Sequence, residues 1–391
     1  MIKRKIYFFT RSYTPEYCGG GAIVREQTVT LLREKGYDVT VVLFTTNPIM
    51  WREIENVIPI EVTHNLLRPS LILEHLGLMS DYLSPWVENA VKYLVKQIKK
   101  DDILLATSGG ELGCIELAAK IKRITGAKLL VNLHDPINHS KVLGIKIPTR
   151  FHVDRTKKAY KVLAEANAII TSSKLYANEL KNKIPSNIIV DHWYFGFSGE
   201  PGSIKASNEI SNGFNLVYAG NMNNMQKPQV LLESLIGKPI FDSINFHFFG
   251  SGINSEIIKS YGEIHPNVYF HGQKSQDYIH DFYANNAQAG FISLIGDYFK
   301  PFVPSKLYDY IRFGLPVVAY LPDGDACNLI NMHGLGVVGS DLVDLEKNLT
   351  KMIEDQELYE KIRRDVTYNV SDWSIKHTSK ALFDVIDKIQ D

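Results

Sequence analysis

Residues 302–320 read FVPSKLYDYIRFGLPVVAY, which is a helix start, one short helix, a stop and a buried strand in a single run. Pro304 and Ser305 open the helix, with Ser305 expected as its N-cap and Lys306 in the first turn. A cation at that end opposes the helix dipole, which favours negative charge there. The placement makes sense if an anion is shared between Lys306 and the free N–H groups of the first turn. Asp309 follows one turn after Ser305, where its carboxylate can accept from a diol. Gly314, Leu315 and Pro316 then end the helix and feed the apolar strand VVAY.

The same alternation extends in both directions. In this half, strands are expected at 216–219, 245–249, 268–271, 289–294 and 316–320, with a helix near 228–235. The N-terminal half repeats the pattern, with strands at 6–10, 38–45, 103–107, 128–133 and 167–171. A helix at about 22–35 stops at Gly36. Continuous apolar strands separated by helices predict parallel sheets covered on both faces. Between the halves, residues 196–213 (GFSGEPGSIKASNEISNG) have no periodicity and read as a linker. The expected architecture is α/β with two doubly wound, Rossmann-like domains, 1–195 and 214–373, facing a central cleft. A closing helix within 374–391 is expected to pack back on the first domain. Ligands of such sheets sit at the carboxyl ends of the strands.

Composition sets outer limits. The chain has 391 residues, 45% hydrophobic and 22% charged, which is ordinary for folded domains and long enough for two or three. No apolar run approaches the roughly 18 residues of a membrane span. Met1–Lys5 lead directly into an apolar run with no small-residue cleavage site, so no signal peptide is expected. Cys18, Cys114 and Cys327 are odd in number and far apart, which fits a reducing cytoplasm. The zero net charge divides into +8 over residues 1–195 and −8 over 196–391. A uniformly basic nucleic-acid binder is thereby disfavoured. The basic half can face an anionic surface or substrate, or the split reflects solvated charges without a partner.

Three further motifs could carry chemistry. The loop YTPEYCGGGAIVREQ (13–27) places Gly19, Gly20 and Gly21 at a helix start, where backbone N–H groups can approach an anion or simply make a tight turn. It is not GxGxxG, which argues against a nicotinamide cofactor. In LVNLHDP, His134 and Asp135 directly follow a strand; His134 can bind a substrate hydroxyl or exchange a proton near neutral pH, or cap its loop. In YAGNMNNMQKP (218–228), Gly220 and Asn221 end a strand, and Lys227 offers a charge to a phosphate or to solvent. No set of His, Cys and Asp has ligand spacing, so no metal is expected.

Taken in order, these motifs resemble the retaining glycosyltransferases of family 4. The likeness spans nearly the whole chain: Pro15…Gly19-Gly20-Gly21, KGYDVTVV, His134-Asp135, YAGN…Lys227, FFGSG at 248–252, and PSKLYDYIRFGLPVVA. The resemblance implies the GT-B fold and a nucleoside-diphosphate sugar donor, UDP- or GDP-linked, with no further cofactor. It places Gly20 and Gly21 by the donor phosphates and acceptor, and His134 on the donor sugar. Lys227 is implied at the diphosphate and Asp309 at the ribose. Two departures stand out. Asn221 replaces the Arg common beside Gly220, and Pro301 stands where many members carry the first Glu of a Glu-x7-Glu pair. In this PSK-type subset, Lys306 and the helix start at Ser305 take over phosphate binding. The implied acceptor is a glycan or lipid-linked oligosaccharide in surface polysaccharide assembly. A sugar-nucleotide 2-epimerase and a non-catalytic nucleotide-binding subunit are the alternatives.

Residues 66–98 are unusually apolar and carry Tyr82, Trp86 and Tyr93. They read either as a core-facing helix pair or as a stretch lying on the anionic inner face of the cytoplasmic membrane. Arg68, Glu74 and Asp81 would keep any insertion shallow.

Overall fold

The computed structural model describes residues 4–16, 20–137, 149–202 and 213–390. The chain forms two compact units, residues 1–194 with 379–391, and residues 195–378. Gly19, Cys18 and the linker residues 203–212 lie outside the described residues.

The first unit holds a seven-stranded sheet. Its strands are β1 (Lys5–Thr10), β2 (Asp38–Thr45), β3 (Val57–Glu61), β4 (Ile103–Ser108), β5 (Lys128–Leu133), β6 (Ala168–Thr171) and β7 (Ile189–His192). Their spatial order is β3-β2-β1-β4-β5-β6-β7, and every pair is parallel. The second unit holds β8 (Phe214–Ala219), β9 (Ile244–Phe249), β10 (Val268–Gly272), β11 (Ala289–Ser293), β12 (Val317–Tyr320) and β13 (Gly336–Gly339). Their order, β10-β9-β8-β11-β12-β13, is also parallel throughout. Both sheets therefore reverse direction of winding once, between β1 and β4 and between β8 and β11, and crevices open at those points beyond the strand ends. The central strands are apolar because helices cover both faces: β4 is buried at all six positions.

The strands β3, β7 and β13 go beyond the sequence expectation. All are edge strands, where one neighbour is missing and the apolar run need not be continuous. β3 contains Pro59 and is only half-buried, and β13 begins and ends with glycine. The closing segment is not one helix. Helices Ile375–Thr378 and Lys380–Gln390 are separated at Ser379, where the chain passes from the second unit to the first. Residues 196–202, expected as linker, are bonded into the second unit. Phe197 N–H donates to Trp373 O at 2.9 Å, Ile375 N–H to Phe197 O at 2.7 Å, and Gly202 N–H to Arg312 O at 2.9 Å. Gly196, at φ +76°, permits this approach: a Cβ there would lie 2.3 Å from Trp373 O.

The apolar stretch 66–98 divides in two. Tyr82 and the helix Ser84–Leu94 belong to the core, with Trp86, Val87, Ala90, Val91 and Leu94 buried. The preceding helix, His64–His75, buries only Ser70 and Glu74.

Candidate active site

In the second unit, helix Ser305–Arg312 is pinned beneath the point where the sheet reverses. The Tyr310 hydroxyl donates toward Val217 O on β8 (3.2 Å) and Phe291 O on β11 (3.1 Å). Gly290 on β11 makes room, since a Cβ there would lie 2.4 Å from the Tyr310 ring. The helix start is thereby brought to the carboxyl end of β8. Its N-cap is Pro304, not Ser305: Ser305 is the first helical residue, exposed, with no side-chain capping bond. Proline at the cap has no side-chain acceptor, so the first-turn N–H groups are not capped from within.

Lys306 follows, and its ammonium is buried with no hydrogen-bond partner. It lies 3.6 Å from the centroid of the Tyr218 ring, a close cation–π contact. It also lies 3.1 Å from where a Cβ on Gly220 would be. Burial pushes its pKa down to about 7, against the pull of Asp309. Burial likewise pushes Asp309 up to about 6, against Arg312 and Lys306. Asn221 joins the group through its backbone, whose carbonyl accepts from the Tyr218 hydroxyl. Gly220 needs its φ of +138° to turn away from β8, and Gly250 (φ +125°) packs directly on it: a Cβ at Gly250 would lie 2.0 Å from Gly220 O. Lys227 lies further along the same loop at φ +35°, its N–H bonded to Asn223 O at 2.9 Å. The structure thus gathers Gly220, Asn221, Lys306 and Asp309, and records no contact joining Lys227 to them.

In the first unit, Gly20 and Gly21 open helix Gly20–Glu34, and both are exposed. Behind them is Arg25, only 4% exposed. Its guanidinium donates to Thr107 Oγ1 at 3.2 Å and to Ser12 Oγ, and pairs with Glu111 Oε1 at 3.5 Å. It therefore ties the segment after β1, the end of β4 and the segment after β4 together at the reversal point. Cβ atoms on Gly21 and Gly109 would each come within 3.2 Å of it, so both glycines give the guanidinium its space. Glu111 Oε2 accepts from Gly109 N–H at 2.8 Å. Asp81, buried beside this loop, accepts from Leu112 N–H at 2.6 Å and Leu83 N–H at 2.9 Å, and burial pushes it up to about 7.

His134 and Asp135 follow β5. The His134 N–H donates to Ser108 O at 2.8 Å, and its carbonyl accepts from Ser172 Oγ at 2.6 Å. Burial, and then Arg25, hold its imidazole well below the usual histidine range. That direction favours the neutral ring, which suits hydrogen bonding to a hydroxyl. Asp135 is pushed up to about 7 by burial and the nearby Glu111, with Arg25 opposing. Arg25 and Glu111 escaped sequence reading. The signal for them was the pair Gly109-Gly110 directly after β4, whose adjacency to β1 only the sheet order reveals.

No family model and no curated protein matches the chain. Solved structures do match over nearly its full length. A lipopolysaccharide outer core galactosyltransferase, WaaB in its apo form, aligns with TM-score 0.68 at 14% identity, covering 98% of this chain and 99% of that one. The sucrose-phosphate synthase of Thermosynechococcus elongatus aligns at 0.73 and 13% identity, covering 99% of both chains. These alignments carry both sheets. The fold is GT-B. An α,α-trehalose 6-phosphate synthase from Burkholderia multivorans has the same GT-B arrangement, at TM-score 0.66, 13% identity, 99% of this chain and 97% of that one. At such identities the likeness establishes the GT-B fold, and the chemistry must be argued from the side chains above.

Proposed function

We propose that the protein is a retaining glycosyltransferase, a hexosyltransferase using a UDP- or GDP-linked sugar and a hydroxyl of a glycan or lipid-linked acceptor. The observation that carries this reading is Lys306: a buried ammonium without a hydrogen-bond partner, at a helix N-terminus, in a GT-B chain. Keeping a cation there costs desolvation, and a diphosphate would offset it. The neighbouring galactosyltransferase and sugar-phosphate synthases support glycosyl transfer in general. Surface polysaccharide assembly in the cytoplasm is the setting that fits the family resemblance.

In this reading the bond from the anomeric carbon to the diphosphate oxygen breaks, and a bond from that carbon to the acceptor oxygen forms on the same face. The acceptor proton passes to the departing phosphate. The leaving diphosphate gains negative charge, which Lys306, Lys227 and the first-turn N–H groups at Ser305 stabilise more than in the ground state. Asp309 accepts from the ribose hydroxyls, and Gly220 and Asn221 line the donor. In the first unit, the resemblance assigns His134 to the transferred sugar, Asp135 to its loop, and Gly20 and Gly21 to the phosphates.

The test is thermal stabilisation by UDP, GDP, ADP, CMP and NAD, with and without Mg²⁺. A ligand specific to the native state adds about 2.7 kcal/mol at 100 times its dissociation constant, so modest affinity is visible. Stabilisation by one nucleoside diphosphate, lost in Lys306→Ala, is expected. A response to NAD alone, or to none of the panel, overturns the reading.

A further inference from the structure

The Lys306 ammonium is buried and has no hydrogen-bond partner, so its charge is held by other means. It rests on the face of Tyr218, with Nζ 3.6 Å from the ring centroid. An aromatic face attracts a cation, and the attraction grows where water is excluded. The ring has little freedom to turn away. Tyr218 is only 1% exposed, and its ring packs against those of Phe248 and Phe291, at 6.3 and 6.2 Å between centroids.

The other end of the same side chain acts on the neighbouring turn. The Tyr218 hydroxyl donates to Asn221 O, just after the glycine that turns the chain away from β8. Burial, and then Tyr310, raise this hydroxyl above its ordinary range, so it keeps the proton it donates. Gly220 lies between the two contacts, since a Cβ there would be 3.1 Å from Lys306 Nζ. A leucine at 218 would fill the space of the ring and leave the ammonium against hydrocarbon, which is costly for a charge. A phenylalanine would offer the face and lose the tether. Tyrosine supplies both.

We propose that Tyr218 is a positioning residue of the donor site: its ring holds the Lys306 ammonium and its hydroxyl holds the Gly220-Asn221 turn, so that both meet one diphosphate. The role toward a donor rests on the transferase reading; the grip on Lys306 does not. Removing the ring face takes support from the charged form, so Lys306 should release its proton at lower pH. The titratable groups around the pair are Asp309, itself near Arg312, and Tyr310, all on the helix of Lys306. From the strands come Phe248 and Phe291, which carry no titrating group. Asp309 titrates alike in every variant and cancels from the comparison.

The test has one arm without ligand and one with. In urea titrations across pH, wild type gains stability on Lys306→Met from about pH 7 upward. Between Tyr218→Leu and its own Lys306→Met double variant, the gain is expected to begin about one pH unit lower. With Tyr218→Phe it begins where it does in wild type. Should Tyr218→Leu fail to fold, 3,4,5-trifluorophenylalanine at position 218 keeps the ring shape, weakens its face and is expected to give the same shift. An unchanged onset in both, or an equal shift in Tyr218→Phe, overturns the grip on Lys306. In the second arm the probes are UDP-glucose and GDP-mannose, whose doubly esterified diphosphates do not titrate near neutrality. For whichever binds wild type, Tyr218→Leu is expected to lose affinity about fivefold or more at pH 7.5 and less at pH 5.5. Tyr218→Phe loses by one factor at both, through its tether. Equal losses at the two pH values in Tyr218→Leu overturn the donor role. Binding of neither probe by wild type overturns the transferase reading and the donor role with it, while the urea arm still decides the grip.

Discussion

Lys306 combines burial, an aromatic face and a helix N-terminus, and each pulls its proton equilibrium differently. Burial dominates and brings the pKa to about 7, from 10.5 in an unfolded chain. Between those values the unfolded chain holds a proton that the folded one has released. Stability therefore rises with pH across that window because of this group, by up to about 1.4 kcal/mol per unit. Lys306→Met removes the effect, and urea titrations at pH 7.5 and 9.5 should show wild type gaining on the variant. The same variant should lose more than tenfold in turnover while remaining folded by circular dichroism. In wild type, kcat/KM should fall as pH rises through about 7, because the free enzyme then loses the charge that meets the diphosphate. A flat profile across that range, or a fully active variant, would remove Lys306 from the chemistry. These residues were legible from Lys306 and Asp309 in one helical turn; Tyr218, which lies under the ammonium, was not, because its contact spans 88 positions in the sequence.

Among the elements, the turns after β8 and β9 depend on each other. Gly220 and Gly250 lie at φ +138° and +125°, and the Gly220 carbonyl occupies the space of a Gly250 side chain. Gly250→Ala should cost roughly 3 kcal/mol or more, since it combines backbone strain with a direct clash. A chemical denaturation midpoint within error of wild type would refute this. The FFGSG motif was visible in the sequence; its structural task, making room for the loop that ends β8, was not. The central strands could be read because burial on both faces leaves a continuous apolar run. The edge strands β3 and β7 could not, because Pro59 in β3 and the paired polar residues Asp191 and His192 in β7 break the pattern where only one neighbour exists; β10, also at an edge, was read from its apolar start.

At the scale of the whole molecule, the last helix, Lys380–Gln390, completes the first unit by burying Leu382, Val385, Ile386 and Ile389. Ile386→Ala should cost about 2–5 kcal/mol. Hydrogen exchange should then accelerate in β5 and β6 while β8 and β11 keep their protection. Equal acceleration in both sheets would contradict independent units. The amino-acid sequence by itself determined the alternation of apolar strands and helices, hence two parallel α/β sheets, and it marked the loops at Gly20, His134, Gly220 and Lys306. Those are local properties, written in periodicity and in residue types that turns and helix ends require. Only the tertiary structure decided that β1 lies beside β4, which brings Arg25 to Glu111, and that Glu74 is buried against Arg155 while Leu66, Leu71, Ile72 and Leu73 stay exposed. Such outcomes depend on pairings between distant segments, where a buried charge must find its partner whatever the local hydrophobic pattern prefers.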